Sequence, residues 1–510
     1  MVNKVYSNRI SEFTHENGGR VLVLFLLFCL AIYEFLTAGL PVYAIICLLP
    51  LVVILIFFSF KRKMGVFWTL IFINYFIQMK GFPSVGPMSL YNEALQLLLL
   101  GLAIIDTKEN PHFERCGNLM LLSIIIWCSF CTLQVLNDTC GLGINIGAWY
   151  TGARMMAFQI MYIFLVFSIY ISSPEILLRY IKIWAFLCLF SAIWTWKQQN
   201  IGLTDSESSF LNGRGAATHI IQGGTLIRYF STFSDAANYG CHAAAAAVAF
   251  IVFAITTKIK KDKWIFTIIA AVVIWKMFAS GTRTAMFCLF AGFFFYIFLS
   301  KSYKIATSAI IIGGILFFML AFTNIGQGNQ QIRRMRSAFN KNDASSSVRD
   351  INQATMRKYM VDAPWGIGLG MGHDNVPANN KYNLMANIAP DSEYVFIWLR
   401  TGKIGITIFI ITTIIMLFGA CNIVLFKLKS PSLIGIGGGL CSAFVAIQLG
   451  GYANQVLMQY PNCLTFYGGL TIVYILPYIE PAWIGLEEKR FAEQEEKRRI
   501  KLEKKLAKRV

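Results

Sequence analysis

The sequence predicts an all-α, polytopic membrane protein, and three observations carry that reading. Hydrophobic residues make up 56% of the 510 positions and charged residues only 14%, where soluble domains carry about a quarter charged. Uncharged apolar runs recur along the chain from Val21 to Ile479. Many of them reach about 20 residues, the length at which a helix crosses a hydrocarbon core while satisfying its own backbone.

Taken in chain order, residues 1–20 form a polar terminus. Val21–Leu40 is too long for a signal-peptide core and no small-residue cleavage site follows it, so it reads as a retained first span. Apolar runs set against charge give about 14 spans. They fall near residues 21–40, 41–60, 64–79, 90–105, 117–136, 149–171, 180–198, 236–257, 264–281, 284–300, 305–323, 404–426, 432–452 and 463–479. The chain then divides into a membrane region over 21–323, a large loop with its return helix over 324–403, C-terminal spans over 404–479 and a charged tail over 480–510.

Orientation follows from the basic connections. Lys61-Arg62-Lys63, the run from Lys258 to Lys263, Lys301 to Lys304 and Lys427 to Ser430 all fall on one side in this count, with the tail. Lys and Arg accumulate in cytoplasmic loops, so that side is expected inside, with both termini. The tail from Glu487 to Val510 carries 10 basic and 6 acidic residues and reads as a solvated, helical extension near anionic headgroups. The same rule accounts for the net charge of +19 without nucleic acid.

Cysteine and histidine usage argues against metal or disulfide chemistry. The 12 Cys lie mostly inside apolar runs, and Cys128 with Cys131 falls mid-span, where packing is the better account. The five His are scattered, and no Walker A sequence, H-E-x-x-H or zinc-ligand cluster occurs. His373 reads first as a hydrogen-bonding loop residue and second as a catalyst. No metal and no cofactor is expected.

The unusual material faces outward. One loop runs over about 199–233 and a larger one over about 324–390, the latter with 8 Lys or Arg against 4 Asp. A basic outer face favours phosphate-bearing substrates. Three polar pieces lie on that face: Arg228-Tyr-Phe-Ser-Thr-Phe-Ser-Asp235-Ala-Ala-Asn238; Ser280-Gly281-Thr282-Arg283-Thr284; and the end of the large loop. The last piece comprises Pro364-Trp-Gly366-Ile-Gly368-Leu-Gly370, Asp391-Ser392-Glu393 and Gly402-Lys-Ile-Gly405. An interfacial Arg ordinarily snorkels to headgroups. Arg283 sits instead in a tight polar connection, where a fixed guanidinium binds phosphate bidentately. Asp391 and Glu393 precede an apolar run as helix-capping residues do, and a carboxylate there could also take a proton from an attacking hydroxyl. Gly366, Gly368 and Gly370 permit a close-packed turn and do not resemble a nucleotide site.

On these pieces, from about Arg228 to Gly405, the sequence resembles the O-antigen ligase and polymerase superfamily of bacterial envelope proteins. The resemblance implies a metal-independent glycosyltransferase of GT-C-like architecture in the bacterial inner membrane, acting on polyprenyl-diphosphate-linked glycans. Membrane lipids, chain-length regulators and flippase proteins are its implied partners. Arg228 and Arg283 match the family's diphosphate-binding arginines, and Arg349 matches a third basic position. Ligases carry a His-[Asn/Ser/Gln] pair nine residues ahead of G-x-x-G, and here Asp391-Ser392 holds that place ahead of Gly402 and Gly405. The missing His leans the expectation towards a polymerase of O-antigen, capsule or exopolysaccharide repeats, with Asp391 as base and Glu393 in reserve. A ligase onto lipid A–core or protein is the near alternative. A transporter or flippase is the alternative of another class, though no internal repeat supports it.

Overall fold

The computed structural model describes residues 62–81, 89–105, 112–221, 226–300, 344–372 and 374–506, with shorter runs between 19 and 26 and between 307 and 336. Packing divides the chain into two units, Met1–Val66 and Phe67–Val510. The first holds few described residues, so the spans expected at 21–40 and 41–60 lie outside them, as does most of 305–323.

The second unit is helical, as its composition predicts. Its main elements are α1 (Lys63–Phe76, which starts in the first unit), α2 (Ser89–Ile105), α3 (Leu119–Leu133), α4 (Ile146–Tyr170), α5 (Pro174–Asn200), α6 (Ala236–Thr256), α7 (Lys260–Ala279) and α8 (Arg283–Leu299). After these come α9 (Gln330–Arg336), α10 (Ala344–Met360), α11 (Glu393–Asn422), α12 (Pro431–Ala453) and α13 (Gly468–Leu506). Among the described residues seven helical stretches are long and apolar enough to cross a membrane, with α2 and α8 as shorter apolar helices. This is a multi-pass helical membrane protein.

The centre of the bundle is α6, whose alanines 243–247 and 249 are fully buried. Small side chains let helix backbones approach, which is how helices associate where lipid is as apolar as leucine. Accordingly α6 packs along α7, α8 and α12. The glycine cluster of α12 serves this contact within the chain: a Cβ on Gly435 would meet Thr256, and one on Gly439 would meet Phe253. Cys128 and Cys131 are free and buried in α3.

Two boundaries differ from the sequence reading. The return helix α11 begins at Glu393, eleven residues before the expected span, and runs through a break at Gly402 (φ 70°). At the other end α13 continues through Pro477 and Pro481 to Leu506, so the last span and the charged tail form one helix. Glu480 in α13 accepts the backbone N–H groups of Lys429 and Ser430, both at 2.7 Å. Arg490 pairs with Asp262 at 2.6 Å, which puts the tail beside the basic run before α7 at one end of the bundle.

Candidate functional site

At the other end of the bundle, Arg228 is held by a two-stranded hairpin, Ile220–Ile221 against Leu226–Ile227. The hairpin brings Arg228 back to His219, whose carbonyl accepts the Arg228 N–H at 2.9 Å. The guanidinium donates to Ser280 O (3.3 Å), Thr218 O (2.8 Å) and Thr282 Oγ1 (2.9 Å). Thr282 in turn donates to Ala236 O at 2.7 Å, in the first turn of α6. Gly281 takes φ +57° with its α-carbon face against the Arg228 side chain, a backbone that glycine adopts without cost. Gly240 of α6 lies so close that a Cβ would sit 2.3 Å from Ser280 Oγ. Two of the three polar pieces are therefore one hydrogen-bonded unit.

This unit concentrates positive charge. Burial, then the nearby Arg334, and also Arg283, hold the Arg228 guanidinium down at about 10. Arg334 belongs to α9, which packs on α7 and α8 beside the turn. Arg283 is the first residue of α8, whose N-cap Thr282 makes no side-chain capping bond because its hydroxyl serves α6 and Arg228. A helix N-terminus beside guanidinium groups is a favourable place for an anion.

His219 is a fixed part of the scaffold. Its Nε2 accepts the Ala236 N–H at 3.1 Å, so the proton sits on Nδ1, 3.1 Å from Gly215 O. Burial and then the Arg228 charge lower it to about 4. Because the folded state binds fewer protons than the unfolded state between pH 6.5 and 4, stability falls as pH falls through that window. The loss by pH 4 should approach about 3 kcal/mol. Thermal melts in detergent at pH 7 and pH 4.5 should show it, and His219→Gln should flatten the difference.

The third piece joins through the connection between α12 and α13, which the sequence reading passed over. Asn462 donates to Asn238 Oδ1 (2.5 Å) and to Val456 O (3.0 Å), and Asn238 donates to Tyr460 O at 2.8 Å. Leu457 N–H then donates to Glu393 Oε2 at 3.0 Å. A continuous set of hydrogen bonds thus runs from the Arg228 unit through α6 to the start of α11. Glu393 is buried and committed to this anchoring role. Ser392 is the cap of α11, accepting Val395 N–H at 3.4 Å and donating to Gly451 O at 3.1 Å. Asp391 is left outside the helix, half-buried and at φ +52°. A left-handed non-glycine residue costs on the order of 1 kcal/mol.

Further along α11 the break at Gly402 frees carbonyls that the Pro364–Gly370 segment satisfies. Ile367 N–H donates to Leu399 O (3.0 Å) and Gly368 N–H to Arg400 O (3.1 Å). A Cβ on Gly402 would lie 2.0 Å from Pro364 O. The close-packed turn expected at these glycines is present. Gly402→Ala should cost at least about 2 kcal/mol, from positive φ and backbone overlap together, and a thermal melt of the purified variant measures it.

Residues 275–410 match the family model described as O-Antigen ligase (Wzy_C). The match supports the O-antigen ligase/polymerase superfamily over that segment. A search of curated proteins finds no match. The matched segment covers Arg283, Arg334, Arg349, Asp391, Glu393 and the Gly402 break, and begins after Arg228. Arg349 lies on α10, which packs on α11, and its side chain lies outside the described residues. His373 also lies outside them. Among the described residues no group of three or more His, Cys, Asp or Glu is placed to hold a metal.

Reasoning from the sequence missed Arg334, counted there only as loop charge, and missed Lys276. The latter is fully buried in α7 and donates to Ser191 Oγ at 2.9 Å. The carbonyl of Ser191 accepts Ser231 Oγ at 2.7 Å, so this pair secures the loop just after Arg228. No sequence spacing links these residues; only their helices do.

Proposed function

We propose that the chain is a metal-independent glycosyltransferase of GT-C type that polymerises polyprenyl-diphosphate-linked oligosaccharide repeats at the outer face of a bacterial inner membrane. The observation that carries this reading is the cluster of Arg228, Arg283 and Arg334 at an uncapped helix start, hydrogen-bonded through one network to the helix that Asp391 precedes. Arg228 and Arg283 hold the diphosphate of one lipid-linked chain, with Arg334 adding charge. The terminal hydroxyl of a second lipid-linked repeat attacks the anomeric carbon as the bond to the diphosphate oxygen breaks. Asp391 takes the hydroxyl proton, and the polyprenyl diphosphate leaves with its charge held by the arginines. In-line attack inverts the anomeric centre. Both termini are cytoplasmic in this reading, with the basic run before α7 and the α13 tail together on that side.

The family description supports transfer of finished glycan to lipid A–core or protein as the second reading. A gel of surface glycans from a deletion strain separates the two. A missing ladder with single-repeat glycan means a polymerase. Long chains stranded on the lipid carrier mean a ligase, and an unchanged ladder removes the chain from this pathway.

A further inference from the structure

Beyond the charged site, the outer end of α3 borders a cavity of about 410 Å³ that the mechanism above does not use. That volume falls within the roughly 300–1,000 Å³ of small-molecule sites. One wall is aromatic. Trp365 is 51% exposed and stacks on the buried Phe130 with ring centroids 6.2 Å apart and planes 16° from parallel. The backbone beneath it is fixed, because Gln134 and Asn137 side chains donate to Trp365 O at 3.1 and 2.9 Å and Asn137 also donates to Gly366 O. Gly366 is itself wedged against Arg400 and Thr401. The indole is therefore a rigid platform with one face open.

The rest of the lining sets Leu133 and Leu136 beside the polar side chains of Gln134, Asn137, Asp138 and Thr139. Asp138 is exposed, and its Oδ1 accepts the Leu142 and Gly143 N–H groups at 2.8 and 2.9 Å. Those two bonds orient the carboxylate and leave Oδ2 outside them. Thr139 also lines the cavity, and among the described residues no cationic side chain does. An anionic ligand would thus meet a carboxylate without a counter-charge. An acyl chain would strip water from that carboxylate with no compensating bond. A pyranose fits this lining, with its apolar C–H face on the indole and its hydroxyls donating to Asp138.

We propose that this cavity is a saccharide subsite that holds the glycan portion of a lipid-linked repeat, away from its diphosphate. The proposal rests on the polymerase or ligase reading for the identity of the glycan, and its test does not depend on turnover. The probe is the repeat-unit oligosaccharide cleaved by mild acid from the host's own surface glycan, free of diphosphate and lipid. Full-length protein in detergent should bind it with quenching of tryptophan fluorescence. Trp365→Ala and Asp138→Asn should each weaken binding at least tenfold, Trp365→Phe should restore part of it, and Arg283→Ala should leave it unchanged. Unaltered melting temperatures separate lost binding from lost fold. No binding by the wild type, equal binding by Trp365→Ala and Asp138→Asn, or displacement of the quench by polyprenyl phosphate alone would each overturn the proposal. Glycan binding that follows these variants in a protein shown to lack transferase activity would keep the subsite and remove the catalytic reading.

Discussion

Asp391→Asn and Asp391→Gly should both abolish chain extension while leaving the protein folded. The expected loss is on the order of 10²- to 10⁴-fold in rate, the range a positioned general base contributes. The backbone argument makes the pair informative. At φ +52° the residue pays for its conformation, and glycine adopts that conformation freely while asparagine tolerates it. Asp391→Gly should therefore melt at the same temperature as wild type or higher, yet show no glycan ladder. A merely structural Asp391 would give the reverse, a shifted melt with the ladder retained. Glu393→Gln serves as the contrast, because Glu393 accepts Leu457 N–H deep in the protein and its change should appear first in stability. An intact ladder with Asp391→Asn at wild-type expression would remove Asp391 from the chemistry.

The fold was legible in the sequence wherever one apolar run made one helix. The expected spans at 236–257 and 284–300 fall within a residue or two of α6 and α8. The expectation slipped where a helix crosses a change of composition. In α11 the capping pattern at Asp391-Ser392-Glu393 marks the helix start, but the apolar run read as a span from 404 misses that these first turns and the span form one element across the break at Gly402. In α13 two prolines lie inside a helix that continues beyond them. The site was legible as pieces on one face, because topology alone aligns the ends of alternate spans. What joins the pieces was not. Residues 454–462 carry only neutral polar groups, and Asn462 meets Asn238 across 224 residues of chain. Arg334 acquires its place from the packing of a short helix, which no periodicity announces.

Arg283→Ala should lower kcat/KM for the lipid-diphosphate donor by about 10²- to 10³-fold, the usual consequence of removing one donor aimed at developing negative charge. Arg283→Lys should recover little, since an ammonium lacks the planar fork that grips two phosphate oxygens. Arg228→Ala should cost more in stability, because Arg228 bridges Thr218, Ser280 and Thr282. The electrostatics supply a second readout. Burial first, and then Arg334 and Arg283, already pull the Arg228 guanidinium down, so the folded chain carries like charges crowded together. An anion that binds only the folded state stabilises it in proportion to its affinity. Inorganic pyrophosphate should thus raise the melting temperature of wild type, raise that of Arg283→Ala less, and lose its effect at high salt. Equal shifts in wild type and Arg283→Ala, together with unchanged turnover, would mean that the diphosphate sits elsewhere. A shift that disappears with Arg283 while turnover survives would assign the cluster to headgroup phosphates rather than to the donor.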